Sequence, residues 1–255
     1  NEVLSNNGEG LLSWVSNSEF SDVYNTTWKS YFSDSVDVHN YSTGNNIIWS
    51  PELSLIVTVG TSGTNSVTTS SDGITWTARV EAESNSWYGI TWSPELSLFA
   101  AVANSGTGNR VMTSPNGTTW TIRTSAVDNN WTSICYSSEL NLFVVVANSG
   151  TNNRIMTSSD GINWTSRTSP VDNNWTSVCY SPELTLFVVV ANSGTNNRIM
   201  TSSDGINWTT RTSPANNDWT SICWNSHNNV FAAVSNSGTN RVMISYDGIN
   251  WTLQK

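Results

Sequence analysis

Short apolar runs, each bounded by polar turn residues, recur along this chain in a fixed order. In residues 131–174 the order is WTSICYS, LFVVVA, RIMTS and WTSRT. LFVVVA is apolar at every position, the pattern of a strand buried on both faces. The separators are rich in Ser, Asn, Asp and Gly. Asp160-Gly161 between two β-rich runs is a hairpin signal, because glycine adopts positive φ without steric cost. No segment has helical periodicity of useful length. The pattern predicts four short antiparallel strands: A over 131–137, B over 142–147, C over 154–158 and D over 164–168.

The unit repeats. SSDGINWT occurs at 158–165 and 202–209, with variants at 70–77, 114–121 and 245–252. The motif tryptophans Trp76, Trp120, Trp164, Trp208 and Trp251 are spaced by 44, 44, 44 and 43 residues, and 131–174 matches 175–218 at 37 of 44 positions. Residues 1–18 align without a gap on 220–237, and the Thr-Thr-Trp ending at Trp28 echoes that ending at Trp120, which gives six repeats with the first diverged. Four strands in about 42–48 residues is the arithmetic of a β-propeller blade. The expectation is an all-β, closed six-bladed β-propeller filling 1–255 as one domain. Its blades are placed at about 1–40, 41–83, 84–127, 128–171, 172–215 and 216–255, with closure resting on the first blade meeting the last.

The segment 158–164, SSDGINW, resembles the Asp-box of bacterial-neuraminidase-type repeats, with one residue fewer between Asp160 and Gly161. The same shortened motif stands at Asp72, Asp204 and Asp247, and Asn116 replaces the aspartate in one copy. The resemblance implies a propeller with these residues in the turn between strands C and D. Its degenerate motifs imply a non-enzymatic branch of the family. The residues agree: Asp accepts bonds from turn amides, and Asn can do the same. A sialidase would need singular Arg, Tyr and Glu residues. Here all eight Arg fall in two repeat series, Arg79, Arg123, Arg167, Arg211 and Arg110, Arg154, Arg198, Arg241. Glu52, Glu95, Glu139 and Glu183 likewise share one repeat position, in the A–B turn. Paired carboxylates for glycoside hydrolysis or a lyase would have to come from Glu2, Glu9, Glu19, Asp22, Asp34 and Asp37, or from Glu81 and Glu83. No catalytic residue is assigned, and a glycoside hydrolase or polysaccharide lyase is kept only as the third and weakest functional reading.

Composition narrows the partners. The net charge is −9 and charged residues are only 11% of the chain, which excludes a phosphate-neutralising nucleic-acid surface. No apolar run reaches membrane-spanning length, so no membrane insertion is expected. The absence of a starting Met raises the expectation of a piece of a larger parent protein or surface assembly. Cys135, Cys179 and Cys223 sit 44 residues apart at one repeat position, which is no metal spacing. Free thiols, no metal and no cofactor are expected. With His39 and His227 as the only histidines, a Ser-His-Asp arrangement has little material.

In this strand order the B–C and D–A loops share one face. That face gathers Trp87, Trp131, Trp175 and Trp219 at the starts of strands A, and Arg110, Arg154, Arg198 and Arg241 at the starts of strands C. Asp128, Asp172, Asn130 and Asn174 lie in the D–A loops beside them. Trp with Asn, Asp and Arg suits a sugar, whose C–H faces stack on an indole and whose hydroxyls pair with polar groups. The first functional expectation is therefore a multivalent, lectin-like glycan-binding propeller on an extracellular, virion or cell surface, as in an adhesin. The alternative is a structural or protein-docking propeller in a larger assembly. The sequence leaves the strand-A tryptophan open between a ligand-facing ring and a wedge between blades.

Overall fold

A computed structural model of the chain describes residues 2–6, 12–16, 44–61 and 65–255. The chain divides into two compact units, residues 1–37 and 38–255. In the first, β1 (Glu2–Asn6) pairs antiparallel with β2 (Leu12–Ser16), Val3 lying opposite Val15. The ungapped alignment on 220–237, where Ile222 lies opposite Ala233, would put Val3 opposite Trp14. The hairpin register is thus moved by one residue. Of the carboxylates expected there, Glu2 lies in β1, whereas Glu9, Glu19, Asp22, Asp34 and Asp37 lie outside the described residues, as does His39.

The second unit holds five antiparallel four-stranded sheets in which sequence neighbours pair throughout. The strands β3–β6 run Gly44–Ser50, Leu55–Gly60, Val67–Ser70 and Thr77–Arg79. The next four, β7–β10, run Trp87–Ser93, Leu98–Ala103, Val111–Ser114 and Thr121–Arg123. Strands β11–β14 run Trp131–Ser137, Leu142–Ala147, Ile155–Ser158 and Thr165–Arg167. They are followed by β15–β18 over Trp175–Ser181, Leu186–Ala191, Ile199–Ser202 and Thr209–Arg211. The last sheet, β19–β22, runs Trp219–Asn225, Val230–Ser235, Val242–Ser245 and Thr252–Gln254. The described residues therefore contain five propeller blades, not the six expected; residues 17–43 lie outside the described residues.

The core lies between blades rather than within them. On β12, Phe143, Val145 and Ala147 pack with Ala100, Val102 and Val111 of the preceding blade. The alternate residues Val144 and Val146 pack with Trp175, Phe187 and Val189 of the following blade. Strand side chains alternate in direction, so a strand sandwiched this way must be apolar at every position. That is the physical reason for the run LFVVVA. Both sets are fully buried.

The inner strands are also tied by hydrogen bonds. A register shift between Trp131 and Ser133 on β11, a bulge, frees Thr132 from the ladder. Its Oγ1 lies 3.1 Å from Val146 O and 2.8 Å from Trp175 O of the next blade. Ser133 Oγ accepts from Val178 N at 3.2 Å. Thr176 and Ser177 repeat the pattern toward Trp219 O and Ile222 N. The inner strands line an open cavity of about 390 Å³, whose walls include Asn46, Ile90, Ile134, Cys179 and Ile222 and, among the described residues, carry no carboxylate, His, Lys or Arg.

The C–D turns at Gly117, Gly161, Gly205 and Gly248 dock on the blade before. Gly161 has φ +71, and a Cβ there would meet Leu98 Cδ2 at 2.7 Å. Gly108 also has positive φ (+68) but open space around it. Alanine at either position is strained by its backbone, and at Gly161 it also overpacks, at about 1–3 kcal/mol more. Denaturant unfolding should rank Gly161→Ala below Gly108→Ala in stability by that margin. Equal losses would mean the turn does not press on Leu98.

Candidate functional site

The rim formed by the B–C and D–A loops is built from side chains that bond to the chain itself. In residues 148–154 the loop folds around Arg154. Its Nε donates to Gly150 O at 2.9 Å, and its Nη1 donates to Asn148 O, Asn173 O and Asn174 Oδ1 at 3.1, 2.9 and 3.1 Å. The last two acceptors belong to the next blade. Asp172 returns the link, accepting from Asn152 N at 2.8 Å and lying 3.6 Å from Arg154 Nε. Asn173, one residue on, is buried and donates to Asn197 O at 2.8 Å within its own blade.

The same assembly recurs with small changes. Arg110 bonds Gly106 O, Asn104 O and Asn130 Oδ1, while Asp128 accepts from Gly108 N. Arg198 bonds Gly194 O, Asn192 O and Asn217 O, and pairs with Asp218 at 2.9 Å. Among the described residues Arg241 bonds Gly238 O, at 3.0 Å, and it is exposed.

These placements correct the sugar-site expectation. Trp87, Trp131, Trp175 and Trp219 are each 0% exposed, so no ring face is open to a stacking ligand. Each sits in a core cluster between blades: Trp131, for example, with Ala100, Val102 and Phe143. The wedge reading is the one the geometry supports. The indole N–H of Trp87 donates to Glu83 O and that of Trp219 to Ala215 O; those of Trp131 and Trp175 have no partner among the described residues. Arg110, Arg154 and Arg198, with Asp128, Asp172, Asn130 and Asn174, are brought together as expected. They are brought together as staples between blades, through Arg Nε and Nη1, one carboxylate oxygen of Asp128 and of Asp172, and the amide oxygens of Asn130 and Asn174.

The partner of this rim that sequence reasoning missed is the asparagine at 85, 129, 173 and 217. It is buried in each blade, and its Nδ2 donates across the B–C loop. A Cβ at Gly150 would lie 2.4 Å from Asn129 Nδ2, so the loop closes on that amide. The signal was its identity in these four copies, whereas the next residue varies, as Ser86, Asn130, Asn174 and Asp218.

On the opposite rim, each C–D turn is closed by its acid. Asp160 Oδ1 accepts from Ile162 N and Asn163 N at 2.8 Å each, and its Oδ2 accepts from Asn163 Nδ2. Ser158 Oγ accepts from Gly161 N at 2.8 Å and donates to Asp160 Oδ1 at 2.9 Å. Trp164 Nε1 donates to Gly161 O, and the ring packs against Phe143. Asn116 holds its turn in the same way, through Thr118 N and Thr119 N. The A–B turn glutamates lie on this rim too. Glu52 accepts from Trp92 Nε1 and Glu183 from Trp224 Nε1, each at 2.7 Å and each across a blade boundary.

The remaining candidates for chemistry are also quiet. Glu81 caps Ser66 N at 3.1 Å, and Glu83 offers its carbonyl to Trp87. All three cysteines are free. Burial pushes the Cys135 thiol far up, and burial followed by the neighbouring thiols does the same to Cys179, the reverse of an activated thiolate. Among the described residues no group of three His, Cys, Asp or Glu is placed to hold a metal ion.

The blade architecture defines the class: the chain is a β-propeller. A family described as the DUF6242 beta propeller domain matches residues 134–255. No curated protein matches the chain in sequence. Among solved structures, a GH74 enzyme of Niastella koreensis is similar with TM-score 0.68 and 14% identity, over 84% of this chain and 37% of that one. Streptogramin B lyase is similar with TM-score 0.67 and 16% identity, over 81% and 66%. YCF48 bound to D1 peptide is similar with TM-score 0.57 and 13% identity, over 84% and 68%. The chain spans less than two thirds of the GH74 enzyme and of the lyase. At such identities the likeness is one of fold.

The turn acids make stability depend on pH. Asp72 is held at about 2 instead of 3.8, first by the backbone N–H of Thr75, then by that of Ile74 and by Ser70. For Asp160, Asp204 and Asp247 partial burial is the largest single influence and pulls upward. The bonds from residues 163, 207 and 250, from the preceding amide and from the turn serine together outweigh it, leaving each at about 2. A depressed carboxyl stabilises the fold above its unfolded value and loses that contribution as pH falls through the folded value. Thermal melts should therefore hold down to about pH 4 and then drop toward about pH 2. A chain with Asp72, Asp160, Asp204 and Asp247 all changed to Asn, the residue already working at 116, should fold and lose much of that drop. An unchanged acid profile in that variant would contradict the assignment.

Proposed function

We propose that this propeller is a non-catalytic scaffold that docks a protein or peptide partner. The observation that carries the reading is the engagement of the recurrent Trp, Arg, Asp and Asn side chains within and between blades. What the B–C loops offer outward is backbone and short polar side chains, the strand-A indoles are covered, and among the described residues the cavity wall carries no carboxylate, His, Lys or Arg. The neighbours add support: YCF48 is described bound to a D1 peptide, and a further match is to a nidogen/laminin complex. A displayed peptide library should yield enriched sequences that bind the isolated protein, while a glycan array run at the same concentration should stay empty. Saturable binding to array glycans would reverse the order of the two readings.

The six-blade count belongs to the same proposal. Residues 1–18 carry the repeat pattern of 220–237, and β1–β2 form an antiparallel hairpin. On the last blade, Val234 and Val242 are 45% and 38% exposed, where Val146, Val190, Ile155 and Ile199 of earlier blades are 0%. Deleting residues 1–40 should lower the melting temperature. An unchanged melt would favour five blades.

A further inference from the structure

We propose that Asn116 is a self-deamidating site, at which the turn promotes conversion of its own asparagine to an acid. Five C–D turns share one framework, and this one alone carries Asn-Gly where the other four carry Asp-Gly. Three features of the turn bear on the chemistry.

The carbonyl that would be attacked is already polarised. Asn116 Oδ1 accepts from Thr118 N at 3.0 Å, Thr119 N at 2.9 Å and Ser114 Oγ at 3.2 Å. Donors aimed at an oxygen that gains negative charge lower the barrier to a tetrahedral intermediate. The nucleophile is free. Gly73, Gly161, Gly205 and Gly248 each donate their N–H to the turn serine at 2.8 Å, and Gly117 N–H makes no such bond among the described residues. The leaving group is free as well. Asn116 is exposed, and its Nδ2 has no hydrogen-bond partner among the described residues. Glycine at 117, required by φ +70 and by the 2.8 Å approach of Leu55 to a Cβ there, also removes the side chain that would hinder ring closure.

The reaction needs only water. Gly117 N attacks Asn116 Cγ, the new C–N bond closes a succinimide, and the Cγ–Nδ2 bond breaks. Nδ2 leaves as ammonia with the proton given up by Gly117 N. Water then opens either C–N bond of the ring, giving aspartate or isoaspartate at position 116. The aspartate product reproduces the turn of the other four blades, with an acceptor for the same two amides. The isoaspartate product adds a methylene to the backbone and displaces Gly117 O, which holds Trp120 Nε1 at 3.1 Å.

The test compares folded and unfolded protein under the same near-neutral buffer, with and without urea. Trypsin releases residues 111–123 as one peptide, between Arg110 and Arg123, so the mass gain of an amide-to-acid change at 116 is read apart from the Asn7-Gly8 pair. An Asn116→Asp chain supplies the standard that separates aspartate from isoaspartate. The expected result is conversion in the folded chain at least as fast as in the unfolded chain. Ser114→Ala should slow the folded rate several-fold and leave the unfolded rate alone. Slower conversion in the folded chain than in urea, the protection that a rigid turn gives, would overturn the proposal. So would equal folded rates with and without the serine.

Discussion

Burial of the second strand of each blade on both of its faces is the constraint from which the rest follows. Phe143, Val145 and Ala147 look back to one neighbour, and Val144 and Val146 look forward to the other. A single blade cannot bury either face alone, so stability resides in the junctions, as in other repeat architectures. Four strands A begin with a large aromatic wedge, and at two junctions a threonine and a serine bond across the inner strands. At roughly 25 cal/mol per Å² and about 150–250 Å² per buried aromatic ring, one such wedge removes several kcal/mol of apolar surface from water. It outweighs any single surface ion pair, worth about 0–1 kcal/mol.

The polar rims are consequences of this stacking. Loops that cross between blades leave carbonyls and amides that need partners. Arg154 satisfies carbonyls of its own loop and of the next blade at once, and Asp172 satisfies an amide of the previous one. The planar fork of arginine suits this task, because its donors reach several acceptors from one position. On the other rim, four aspartates and one asparagine close the C–D turns, and the turns at Gly117, Gly161, Gly205 and Gly248 press on the preceding blade. Repetition of chemistry-bearing residues therefore follows the repetition of the junction.

Much of this fold was legible in the sequence. The spacing of the motif tryptophans and the run LFVVVA give the blade period, the strand order and the double-sided burial, and strand A and strand B fall on the residues the pattern predicts. The site was less legible. Trp, Arg, Asp and Asn crowded on one face have the composition of a sugar site and also that of a polar joint. Only burial separates the two, and a sequence does not state whether the ring of Trp175 is covered by Val144 and Val146 or by solvent. The buried asparagine at 129 and 173 was passed over for its neighbours at 130 and 174, because adjacent Asn residues look alike until one is inside. The first repeat departs by a register shifted by one residue, which the ungapped alignment did not foresee.

The claim that the recurrent aromatic and polar residues hold blades together is tested most directly at Trp175. The variant Trp175→Ala should lose about 3–5 kcal/mol in equilibrium unfolding, the range for truncating a buried aromatic. A loss within about 0.5 kcal/mol of the parent, the behaviour of a surface substitution, would place that ring in the open and return the rim to the role of a ligand site.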